Sequence, residues 1–147
     1  MTINWISMII ATIIPMAVGF VWYHKSVFGQ AWMDSIGMTE EKMKEANMAL
    51  TYGLAIVMSF ILAFFLLNFN NGPGQDTPDF DTFGHGAFHG VFVGIIIVMP
   101  VIITKGLFEQ APWKSTFINI GYWIVSFALM GGVLDVMNHW PCTNPCP

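Results

Sequence analysis

Four side chains stand out for their chemistry. His85 and His89 are four residues apart, as are Asp135 and His139. In a helix that spacing puts each pair on one face. Imidazoles and a carboxylate are ligands that zinc accepts, and histidine also holds haem iron. The same groups can instead form a plain hydrogen-bonded cluster, because an ionisable side chain inside a membrane needs a partner. The residues at equal distances from Pro112 are His85 with His139, and His89 with Asp135. If the flanking segments form an antiparallel hairpin turning there, all four share one level. Gly86 and Gly90 beside the histidines, and Gly131 and Gly132 one turn from Asp135, turn that level toward protein rather than lipid. The readings left open are a structural cluster, a divalent-metal site of His85, His89, Asp135 and His139, a haem site, and a proton or ligand pathway.

Whatever positions these groups is a membrane structure. Of the 147 residues, 55% are hydrophobic and 10% charged, against roughly 25% charged in soluble domains. With five lysines against nine acids, no basic face for nucleic acid can form. Four stretches, about 3–22, 48–69, 84–107 and 116–137, have the roughly 20 apolar residues that a helix needs to cross a bilayer. They are apolar all round, so helices are expected rather than barrel strands. The fold class is therefore all-α: one domain over 1–147, an integral membrane four-helix bundle. The first span lacks a basic start and a small-residue cleavage site, and reads as an uncleaved helix.

The connections differ in character. From His24 to Asn47, Thr39 is a helix N-cap with Glu40 and Glu41 behind it. The short helix is expected to run into the second span, with Glu40 paired to Lys44. Upstream, Phe28, Trp32, Met33 and Ile36 suggest an amphipathic piece on the membrane surface. The loop 70–83 holds Asn71-Gly72-Pro73-Gly74 and Thr77-Pro78, turn formers that exclude regular structure. The third connection is a tight hairpin near Ala111-Pro112.

Lysine placement sets sidedness. Lys25, Lys42 and Lys44 lie in the first linker and Lys105 and Lys114 flank the third turn, whereas loop 70–83 has Asp76, Asp79 and Asp81 and no lysine. The N-terminus, the acidic loop and the tail 140–147 are thus expected on the outer, periplasmic side of a bacterial inner membrane. There Cys142 and Cys146 are either joined by a disulfide, which an oxidising compartment favours, or a pair of free thiols.

Small residues recur at four-residue spacing on every span: Ser7 and Ala11 with Gly19; Ala55, Ser59 and Ala63; Gly86, Gly90 and Gly94; and Ala128 with Gly131 and Gly132. Such faces let helix backbones approach. Pro15 and Pro100 are expected to kink their helices. A second polar group, Lys105 with Glu109 and Ser115 with Asn119, anchors the inner hairpin. No phosphate loop, catalytic triad or Cys-x-x-Cys motif is present.

Several short motifs carry a resemblance: Trp22-Tyr23, Phe28-Gly29, Ala31-Trp32-Met33, Gly37-Met38-Thr39-Glu40-Glu41, Leu107-Phe108-Glu109, Pro112 and Asn119-Ile120-Gly121-Tyr122-Trp123. By their order and spacing the chain resembles the small bacterial membrane proteins catalogued as domain of unknown function 1761. The resemblance implies four membrane helices and brings no established activity, so no catalytic residue is carried over. The acidic loop and the Cys/Pro tail depart from the family's usual pattern. The expected role is a non-enzymatic accessory or scaffold subunit of a membrane assembly, in contact with lipids and other subunits or copies of itself. The alternatives are a metal- or haem-binding redox protein and a small transporter or channel subunit.

Overall fold

The computed structural model describes residues 3–70 and 81–138. The middle of the acidic loop, His139, Cys142 and Cys146 lie outside the described residues. The described residues are helices and short connections: α1 Trp5–Trp22, α2 Gln30–Ile36, α3 Glu40–Lys44, α4 Met48–Asn70, α5 Phe83–Val93, α6 Met99–Phe108 and α7 Trp113–Met137. A π-helical turn, Gly94–Val98, joins α5 to α6, and another, Lys25–Gly29, precedes α2. Four helices are long and apolar enough to cross a membrane: α1, α4, α5 continued through α6, and α7. Their 18 to 26 residues reach about 27 to 39 Å at about 1.5 Å per residue. This is a multi-pass helical membrane bundle.

Polar caps start α1, α3, α4 and α5. Asn4 accepts from the backbone N–H groups of Ile6 and Ser7 at 3.0 and 3.3 Å, Asn47 from Leu50 at 3.1 Å and Thr82 from His85 at 3.2 Å. Each satisfies N–H groups that lipid could not. Thr39 caps α3 as expected, accepting from Lys42. However, α3 does not run into α4, because Asn47 starts a fresh helix. Glu40 pairs with Lys25 rather than Lys44, and the Lys25 ammonium holds its carboxyl below the usual carboxylate range. Gly37, left-handed at φ 64°, closes α2. The amphipathic piece is helical and packs on α7, with Met33 buried.

α7 is the hub, packing against α1, α2, α4, α5 and α6. The core is Met8 and Ala11 of α1, Ala63, Leu66 and Leu67 of α4, Val93 of α5, and Phe127, Met130 and Leu134 of α7. The closest seam is α5 on α7. A Cβ on Gly86 would strike the carbonyl oxygen of Gly131, one on Gly131 would strike that of Gly86, and one on Gly90 would strike that of Phe127. Only hydrogen fits between these backbones, so the small-residue stripe is a steric requirement.

The hairpin is not evenly in step. Gly106 lies against Thr116, and Gly94 lies against Ile124. Between those two levels the third span uses twelve residues and the fourth uses eight. Pro100 has no N–H for the Ile96 carbonyl, and the ladder changes to π hydrogen bonding, Met99 N–H donating to Gly94 O. The π turn supplies an inserted residue. The rest of the mismatch reflects α6 leaning away from α7, where the two enclose a cleft. The third span is therefore one continuous helix with a π turn inside it.

Gly90→Ala is expected to lower stability by about 1–3 kcal/mol or more through overpacking. Gly84→Ala, with nothing within 4 Å of its Cβ, is expected to be neutral or to stabilise by up to about 1 kcal/mol. Thermal unfolding in detergent distinguishes them; equal shifts would remove the seam.

Candidate functional site

One polar layer crosses the end of the bundle where Asn4 and Asn138 lie. His85 and Asp135 meet there, Nδ1 to Oδ2 at 2.8 Å, on helices held together by the glycine seam. Asp135 is 2% exposed. Equal distance from Pro112 pairs His89 with Asp135 instead; the π turn and the lean of α6 shift the register by a turn and put His85 there. The His89 ring lies 4.3 Å from that of His85, tilted 58° to it, and meets Phe69 edge-on at 5.4 Å. Its Nδ1 is buried without a hydrogen-bond partner among the described residues.

Three asparagines complete the layer. Asn138 accepts from Asn4 N–H at 3.0 Å and donates to Ser7 Oγ and Leu134 O, each at 2.7 Å. Asn4 also donates to Met137 O at 2.9 Å. Asn70, 1% exposed, donates to Gly131 O at 3.1 Å and leaves its Oδ1 unpartnered among the described residues. These residues tie α1 and α4 to α7. They went unnoticed in the sequence, although an asparagine at the end of an apolar span is itself the signal.

No group of three or more His, Cys, Asp or Glu side chains among the described residues is arranged to hold a metal. The near histidine is bonded to the carboxylate rather than turned with it toward a common point. His139, the fourth residue of the candidate set, is outside the described residues.

The opposite end, beside the α6–α7 turn, has a cleft of about 420 Å³ between α2, α6 and α7. Trp32, Lys105, Glu109, Asn119, Tyr122 and Trp123 are among its walls. Gln110, left-handed at φ 53°, reverses the chain between α6 and α7. The Tyr23 hydroxyl donates to Asn119 Oδ1 at 2.8 Å. Burial, and then the neighbouring Tyr122, pushes the Tyr23 phenol well above its ordinary range, so it stays protonated and donates. Tyr122 donates to Pro15 O at 2.9 Å, and Trp22 Nε1 to Ile118 O at 3.1 Å. Lys105 and Glu109 pair at 2.6 Å on the rim. The sequence had shown these two facing Ser115 and Asn119 as an anchor; the cleft they edge is new.

The fold is that of a multi-pass helical membrane protein with a closed polar layer at one end and an open cleft of mixed polar and apolar walls at the other. The chain belongs to the family described as Protein of unknown function (DUF1761), whose pattern matches residues 6–135. Neither a curated protein nor a solved structure matches it. The motifs carrying the resemblance gather at the cleft end. Trp22 packs on Phe28 at 4.6 Å, and Tyr23 on Trp32 and Tyr122 at 5.5 and 5.3 Å. Gly29 is pressed against the Tyr23 carbonyl, and a Cβ on Gly121 would lie 2.9 Å from the Trp22 ring.

Asp135→Ala is expected to cost about 1.5–3 kcal/mol, the range for a hydrogen bond to a charged group. Asp135→Asn, which keeps an acceptor, should cost less. Thermal unfolding gives the order; equal losses would mean that the His85 bond contributes nothing.

Proposed function

We propose that the protein is a non-enzymatic accessory or scaffold subunit of a larger bacterial inner-membrane assembly. Both termini, the acidic loop 70–83 and the cysteine tail 140–147 face the periplasm, where loop and tail meet a partner; the lysine-bearing turns face the cytoplasm. The observation that carries the subunit reading is the first half of α4. No residue from 48 to 58 is buried, and nothing lies within 4 Å of a Cβ on Gly53. Ala49 and Gly53 give this unaccompanied stretch a small-residue spacing of the kind that seats a second helix. Sidedness rests on the lysine distribution.

The test is native purification of the wild type and of Gly53→Leu. The wild type is expected in a complex larger than one chain. Gly53→Leu should leave the thermal stability of the isolated chain unchanged or raise it by up to about 1 kcal/mol through helix propensity, yet it should reduce the share of that complex. A wild type that always runs as a lone monomer contradicts the subunit reading. For sidedness, an impermeant maleimide applied to intact spheroplasts after reduction should label Cys142 and Cys146; labelling only after lysis contradicts it.

A second reading, metal or haem binding at His85, His89, Asp135 and His139, is favoured by the buried, unpartnered Nδ1 of His89. It requires metal content or a haem absorption band in the purified protein that falls in His89→Ala and His139→Ala. Unchanged content in both variants removes it.

A further inference from the structure

We propose that the cleft between α2, α6 and α7 holds the headgroup of a zwitterionic phospholipid of the ethanolamine type, with an acyl chain lying along α6. The inference requires only that the helices span a bilayer; it depends neither on the subunit reading nor on sidedness. The cleft volume of about 420 Å³ falls within the roughly 300–1,000 Å³ typical of small-molecule sites. It sits where the third and fourth spans end, at the depth of the headgroups. Its wall is mixed, with Lys105, Glu109, Ser115 and Asn119 set among apolar and aromatic side chains, and those polar groups need water or a headgroup, since lipid tails cannot satisfy them.

The order of chemistry along α6 selects the occupant. Pro100, Val101, Thr104, Lys105 and Phe108 line a shallow, mostly apolar groove beside the cleft. Lys105 borders both the groove and the cleft, and Glu109 lies about one turn, or about 6 Å, nearer the membrane surface. From the interior outward the protein thus presents an apolar groove, a cation and an anion. A phosphatidylethanolamine presents a chain, a phosphate and an ammonium in the same order. A purely anionic headgroup would meet Lys105 but also face Glu109 without a counter-charge.

The remaining contacts agree with this. Asn119 has its oxygen taken by Tyr23, which leaves its NH2 group to donate to phosphate. Trp32 and Trp123 wall the cleft, and tryptophan favours this interfacial level. The Lys105–Glu109 bond must open to admit the headgroup. Both side chains are more than half exposed, and such pairs contribute little that would be lost.

The experiment is native mass spectrometry of the full-length, delipidated protein in detergent, titrated with dioleoyl-phosphatidylethanolamine or dioleoyl-phosphatidylglycerol. The ethanolamine lipid is expected to bind roughly tenfold more tightly, which corresponds to about 1.4 kcal/mol. Glu109→Gln, a mild change at an exposed position, should remove that preference. So should the exchange of Lys105→Glu with Glu109→Lys, which keeps an ion pair but reverses its order. Glycerophosphoethanolamine, lacking chains, should bind roughly tenfold more weakly than the lipid. Equal binding of the two lipids to the wild type, or a preference surviving in Glu109→Gln, overturns the proposal. Equally tight binding of glycerophosphoethanolamine overturns the lipid as the source of the headgroup.

Discussion

A direct backbone contact between α5 and α7 holds the hairpin shut at one end. Gly86 and Gly131 each occupy the space in which the other would need a side chain, and Gly90 does the same beneath Phe127. In lipid no hydrophobic force gathers helices, so close packing has to hold them. Because these two backbones touch, Asp135 can reach His85, and α4 joins the same level through Asn70, which donates to the Gly131 carbonyl. The polar layer at that end is a consequence of the seam, and α1 is then fastened to it through Asn4, Ser7 and Asn138.

The other end of the same hairpin is built oppositely. Past Gly94 the π turn and Pro100 end the close fit, and α6 leans away. Aromatic and polar side chains from α2, α7 and Tyr23, just past α1, line the resulting space rather than filling it. One hairpin thus contains a shut half and an open half, and the transition falls at a change in hydrogen-bond register. π turns of this kind recur at functional sites, which makes the open half the more informative end of the molecule.

Much of this was legible in the residues. Long apolar stretches gave the spans, because in a bilayer length and apolarity alone select helices. The glycine spacing identified the seam, and the level shared by His85 and Asp135 followed from counting about Pro112. Counting failed by one turn, since it assumes equal rise in both helices and Pro100 was the only mark of the π turn. Glu40 was assigned to Lys44 because helix spacing says nothing of Lys25, which the chain reversal at Gly37 brings near. The cleft was not visible because Tyr23, Trp32, Lys105 and Asn119 come from four elements. Each is an ordinary residue for a membrane interface, and only the fold puts them around one space.

Cysteine accessibility measures the contrast between the two halves of the hairpin directly. In a Cys142→Ser, Cys146→Ser background, single cysteines at Asn119 and Ile102, on the cleft, are compared with single cysteines at Met130 and Leu134, under the seam. Rapid reaction with a small water-soluble maleimide in detergent is expected at the first two and none before unfolding at the last two. Similar rates at all four positions would contradict that contrast.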